Sequence, residues 1–70
     1  MTVQIKLEYE GYLYLSQEEE INEDALEKAR NLLKDISEFK VESLIIKNGK
    51  QEYYFNKSIL EKSIITLITK

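Results

Sequence analysis

From Val3 to Leu15 the chain alternates. Val3, Ile5, Leu7, Leu13 and Leu15 take odd positions, while Gln4, Lys6, Glu8, Glu10, Tyr12 and Tyr14 take even ones. A period of two marks a strand with one buried face. Gly11 interrupts the run. A three-residue loop, Tyr9-Glu10-Gly11, with Gly11 left-handed, pairs Leu7 with Leu13 and Ile5 with Leu15, which keeps every aliphatic side chain on one face. A two-residue Glu10-Gly11 turn would set Leu7 opposite Tyr14 and Leu13 opposite Glu8, mixing the faces. One long strand bent at Gly11 is the remaining arrangement. The three-residue loop is therefore the expectation.

Periodicity then changes to that of a helix. Ile21, Ala25, Ala29, Leu32, Leu33 and Ile36 recur at three-and-four spacing, with Leu26 beside them. Asn22 is a good N-cap, and Ile21 before it can staple onto Leu26. Glu23, Asp24 and Glu27 suit the positive end of the helix dipole and Lys34 the negative end, so a helix is predicted over 22–37. Ser16 with Glu19 forms an earlier capping box that would start it sooner.

Two further apolar runs, Val41 to Lys47 and Lys50 to Asn56, flank Asn48-Gly49, the strongest short hairpin signal. A type I′ turn there pairs Leu44 with Tyr53 and Ser43 with Tyr54. Leu44, Ile46, Tyr53 and Phe55 share one face; Val41, Ser43, Ile45 and Tyr54 share the other. The last segment, Ser58 to Lys70, opens with the capping box Ser58/Glu61, and Leu60, Ile64, Leu67 and Ile68 make a helical stripe. A helix is predicted. Because many of these residues are β-branched, a terminal strand from Ile64 to Thr69 is the alternative. The order is β-β-α-β-β-α, or β-α-β-β-α if Gly11 only bends a strand. Either gives one α+β domain over 1–70, two-layered, with an antiparallel sheet of three or four strands and helices on one face.

Composition narrows the chemistry. The chain has 70 residues, with 43% hydrophobic and 33% charged residues, a globular rather than a disordered balance. Cys and His are absent, which removes disulfides, thiolate sites and the usual general base and zinc ligand. Five serines stand in no nucleophile motif, and Gly11 and Gly49 alone make no phosphate-cradling loop. The densest acidic patch is Glu18, Glu19, Glu20, Glu23 and Asp24. It lacks the spacing and central glycine of a calcium loop, and it reads as a solvated helix start. No catalytic residue, metal site or cofactor is expected.

Charge is unevenly spread. Residues 1–27 carry eight acids and one base, Lys6, whereas residues 28–70 carry nine bases and five acids; the net charge is −3. Such asymmetry can orient a partner. It also permits the acidic half to mimic nucleic acid and block a nucleic-acid-binding protein. Strand lysines (Lys6, Lys40, Lys47, Lys50, Lys57) and tyrosines raise the rival idea of a single-stranded nucleic-acid binder. The pI of 4.9 and the single Arg30 oppose it.

Five tyrosines are the informative feature. In the expected registers Tyr12, Tyr14 and Tyr54 stand with Ile45 on the side of the sheet away from the helices. Tyrosine combines large contact area with a polar tip, which suits interfaces, although cross-strand tyrosines also stabilise a half-exposed sheet without binding anything. The expectation is a small non-catalytic inhibitor, adaptor or accessory factor, a regulator carried by a phage or mobile element being one example. It would bind a protein partner, or itself as a homodimer, through Tyr12, Tyr14, Ile45 and Tyr54, with an exposed edge strand as an accessory route. No run approaches the ~18 apolar residues of a membrane span and the first residues lack a signal-peptide core, so no membrane partner and a cytoplasmic setting are expected.

Overall fold

In the computed structural model, which describes residues 1–70, the chain runs β1 (Thr2–Tyr9), β2 (Tyr12–Leu15), β3 (Glu19–Glu20), α1 (Glu23–Ser37), β4 (Ser43–Asn48), β5 (Gln51–Asn56), α2 (Lys57–Glu61) and β6 (Ile64–Thr69). The architecture is α+β, as the periodicities predict, with antiparallel sheets of four and two strands. β1 is the central strand. Val3 pairs with both Glu19 of β3 and Thr69 of β6, and Leu7 pairs with both Tyr14 of β2 and Ile65 of β6. β2 and β3 therefore share one edge of β1, and β6 takes the other. β4 and β5 form the second sheet. It joins the first where the Gln17 N–H donates to Lys47 O at 2.9 Å and Asn48 Nδ2 donates to Leu15 O at 3.0 Å.

The first hairpin departs from expectation. Tyr9 pairs with Tyr12, so the loop is the two-residue turn Glu10-Gly11, with φ of +49° and +82°. Both residues are left-handed, which is the type I′ requirement; glycine meets it freely and glutamate does not. Leu7 lies opposite Tyr14, and Leu13 opposite Glu8. Mixed faces are accepted because the Tyr14 ring has somewhere to go. It packs edge-on against Tyr53 and Phe55, with centroids 5.2 and 5.1 Å away.

The second hairpin also turns one residue later than expected. Asn48 pairs with Gln51, leaving Gly49-Lys50 as the loop, with Gly49 at φ +62°. Asn48 stays in the strand, where its side chain reaches Leu15 O, and the Gly49 N–H donates to Gln17 Oε1 at 3.0 Å. Leu44 pairs with Phe55, not Tyr53, and Ile45 with Tyr54. The pairing moves by two positions, so the faces stay as expected. Val41 alone leaves its assigned side: it precedes β4 and packs against the core.

Helix α1 matches its prediction. Asn22 Oδ1 accepts from the Ala25 N–H at 2.8 Å. At the far end Phe39 is left-handed (φ +61°), with the Phe39 N–H donating to Ile36 O at 3.0 Å and the Lys40 N–H to Asp35 O at 2.9 Å. This is a Schellman cap with phenylalanine where glycine is usual. The C-terminal segment is the larger correction. Asn56, not Ser58, caps a single short helix, accepting from the Ile59 N–H at 3.0 Å, and the chain resumes as β6. Ile64, Ile65, Thr66, Ile68 and Thr69 are β-branched, and β1 offers them a whole edge to pair with; the ladder outweighs the helical stripe.

One core joins these parts. Leu7 is fully buried, and Ile36 of α1, Leu60 of α2, and Leu44, Ile46 and Phe55 of the second hairpin close around it. Only seven residues of the chain are buried; most other aliphatic side chains are partly buried, and Leu13, Ile45 and Ile64 are exposed.

Candidate functional site

The face of the larger sheet turned away from this core follows from the registers. β1 supplies Gln4, Lys6 and Glu8 to it. β2 supplies Leu13 and Leu15, and β6 supplies Ile64, Thr66 and Ile68. At one rung Leu13, Glu8 and Ile64 lie side by side across three strands. Leu13 is 55% exposed and Ile64 65% exposed. α1 directs Ile36 and α2 directs Leu60 into the core on the opposite side. Aliphatic flanks thus border a polar centre in which Lys6 Nζ lies 3.3 Å from Glu8 Oε1.

The four tyrosine-face residues do not assemble as one patch. Ile45 and Tyr54 do face each other across β4 and β5 and are exposed. Tyr12 is 66% exposed, but it sits at the tip of the first hairpin on the Tyr14 side of the strand. Tyr14 is half-buried against the core, a direct consequence of the two-residue turn. Reasoning from sequence missed Leu13 and Ile64. The signal for Leu13 was the Glu10-Gly11 dipeptide, a two-residue turn pair, and that for Ile64 was the β-branched run of residues 64–69.

The two outward surfaces meet at a shallow cleft of about 200 Å³, lined by Val3, Gln4, Ile5, Ser16, Gln17, Glu19, Ile45, Ile46 and Lys47. Gln4 Nε2 donates to Ser16 O at 2.9 Å, and Ser16 Oγ accepts from the Ile5 N–H at 2.8 Å. Its small volume, with Gln4 and Ser16 already engaged in holding β1 to the Ser16 link, makes it a seam and not a ligand pocket.

The acidic patch is spread over three elements. Glu18 pairs with Lys70, Glu19 accepts from Gln17 Nε2 at 3.2 Å, Glu20 ends β3, and Glu23 and Asp24 occupy the first turn of α1. No three acids converge on a shared point that could hold a metal ion. Most strand lysines have an acidic neighbour: Lys6 with Glu8, Lys47 with Glu52 at 3.9 Å, and Lys57 with Glu42 at 3.6 Å. Lys40 pairs with Glu38 at 2.9 Å, so among the lysines on or beside the strands Lys50 alone has no acidic partner. Two side chains titrate away from their ordinary values. Burial, then the Glu10 carboxylate, holds the Tyr9 hydroxyl above 10.0, and the hydrogen bond and charge of Glu38 hold Lys40 above 10.5. No helix is long and apolar enough to cross a membrane.

These features define a small α+β protein whose helix-free sheet face carries exposed aliphatic side chains. Compared with protein-family models, with curated proteins and with solved structures, the chain matches none.

Proposed function

We propose that the protein acts by binding a partner protein, without catalysing a reaction, through the helix-free face of its larger sheet. The observation that carries this reading is the Leu13–Glu8–Ile64 rung, where two aliphatic side chains more than half exposed flank an ion-paired centre. Exposed aliphatic side chains set around a polar, ion-paired centre are what an interface offers. Ile45 and Tyr54, paired across β4 and β5, expose further apolar surface on the second sheet. The absence of His and Cys supports a role in binding over acid–base or nucleophilic chemistry, and a chain with no cysteine is suited to the cytoplasm.

The test is in-cell crosslinking of the tagged chain, comparing the wild type with Leu13→Ser/Ile64→Ser and with Asn31→Ser on the exposed side of α1. Adducts that disappear in the first variant and persist in the second support the reading. Adducts that persist in both, with the far-UV spectrum unchanged, overturn it.

A further inference from the structure

β6 pairs with β1 alone, and the phase of that ladder shows what its other edge presents. Thr2 and Lys70 exchange both backbone bonds, at 3.1 and 2.9 Å. In an antiparallel pair such reciprocal rungs recur every second residue. Ile68, Thr66 and Ile64, opposite Gln4, Lys6 and Glu8, therefore direct their N–H and C=O groups at β1. Ile65, Leu67 and Thr69 direct theirs the other way. No loop, side chain or second strand bonds to them. Three donors and three acceptors lie in a row along a strand, 64–69, that contains no charge and no proline. Natural edges are usually blunted by such residues; this one is not.

We propose that β6 pairs antiparallel with β6 of a second copy, about a twofold axis at Leu67. In that register Leu67 faces its own symmetry mate and Ile65 faces Thr69 of the other copy. All six outward groups of each copy then find partners. Neighbouring registers do worse. Moving two residues toward the start pairs Ile65 with Leu67 but sets Thr69 opposite Ser63, which lies outside β6 and whose N–H donates to Leu60 O. Moving two residues the other way sets Ile65 opposite a position outside β6. A one-residue shift sets outward groups against inward ones. The half-buried Ile65 and Leu67 side chains gain apolar neighbours on the core side. A twofold axis normal to the sheet closes the assembly at two copies. This pairing uses an edge and not the outer face, so it stands independently of the partner-binding proposal.

Light scattering and amide hydrogen exchange, from micromolar to millimolar concentration, decide the matter. The mass should rise from 8.3 kDa toward twice that value. The amides of Ile65, Leu67 and Thr69 should exchange about tenfold slower at the high end than at the low end, while those of Ile64, Thr66 and Ile68 stay protected throughout. Thr69→Pro removes one outward N–H from an exposed edge position that tolerates proline, and dimerisation should weaken about tenfold or more with the far-UV spectrum unchanged. Leu67→Pro, at the axis, should abolish dimerisation. The proposal is overturned by a monomer at every concentration, by larger assemblies, by a dimer that leaves the three odd-numbered amides unprotected, or by a folded Thr69→Pro that dimerises like the wild type.

Discussion

Replacing Tyr14 with alanine tests the register on which the outer face depends. The ring is half-buried and meets Tyr53 and Phe55 edge-on at 5.2 and 5.1 Å. A tyrosine can bury roughly 200 Å², so half burial removes about 100 Å² from water, worth about 2.5 kcal/mol at ~25 cal/mol per Å². The edge contacts raise the expected loss to about 3 kcal/mol. Leu13, one residue earlier and 55% exposed, should cost no more than about 0.5 kcal/mol when truncated to alanine. Tyr14→Phe should also stay within about 0.5 kcal/mol, since the hydroxyl donates to no protein group. A domain this small has a total stability of roughly 3.5–10 kcal/mol, so Tyr14→Ala spends much of it. In urea, with a slope of about 1 kcal/mol per molar, the midpoint should fall by about 3 M for Tyr14→Ala and by under about 0.5 M for Leu13→Ala. Equal losses, or a larger loss at Leu13, would mean that the leucine faces the core. The three-residue loop would then be restored and the Leu13–Glu8–Ile64 rung dissolved.

Other consequences follow from the turns, caps and one titrating side chain. Glu10→Asn should stabilise the fold by about 0.5–1 kcal/mol, because asparagine tolerates the left-handed conformation that Glu10 holds at φ +49°; a lower unfolding midpoint would contradict the type I′ turn. Phe39→Gly should gain about 1 kcal/mol for the same reason at the end of α1, where the ring is more than half exposed; a lower thermal unfolding midpoint would contradict it. Asn22→Ala should cost about 1 kcal/mol by orphaning the Ala25 N–H, measured as a lower urea midpoint. Tyr9 keeps its proton above the ordinary 10.0 in the folded state, so folding stability falls as pH rises past that value. Tyr9→Phe should flatten the fall, and Glu10→Asn should lower the Tyr9 midpoint in an ultraviolet titration.

The two hairpins show which parts of the fold were legible in the sequence. Both turns were misplaced, but with unequal effect. In the second hairpin the pairing of Leu44 moved from Tyr53 to Phe55, two positions along, and every side chain kept its face. In the first the partner of Leu7 moved from Leu13 to Tyr14, one position along, and all of β2 was inverted. Alternation reveals a strand and its two faces; it does not say which face of a short partner strand meets the core. That depended on Tyr53 and Phe55, residues some forty positions away that receive the Tyr14 ring. Helix α1 was readable because cap, dipole charges and apolar stripe are all local. The C-terminal segment was not, since its conformation follows from the vacant edge of β1, a long-range fact that only its β-branched composition hinted at. Tyr14 left the expected patch because β2 inverted, and the same inversion brought Leu13 out onto the face that carries Ile64.

Register therefore links the outer face to the β6 edge. A strand that pairs across a twofold axis normal to its sheet leaves both outer faces on the same side. Ile64 and Ile68 of one copy then continue into those of the other, and the aliphatic flank that β6 forms at the margin of the single chain becomes the middle of a six-stranded surface built from β2, β1 and β6 of each copy, with Leu13 and Leu15 at its two ends. A partner with two matching sites, or one long enough to cross the axis, engages the second copy at the high effective concentration set by the first. Thr69→Pro, which acts at the edge and leaves the face untouched, should accordingly weaken capture of such a partner without abolishing it, whereas Leu13→Ser/Ile64→Ser should abolish capture and leave the mass of the dimer unchanged. Opposite patterns in light scattering and crosslinking for these two variants would separate the surface that recognises from the edge that doubles it; parallel losses in both assays would show that edge and face are one interface.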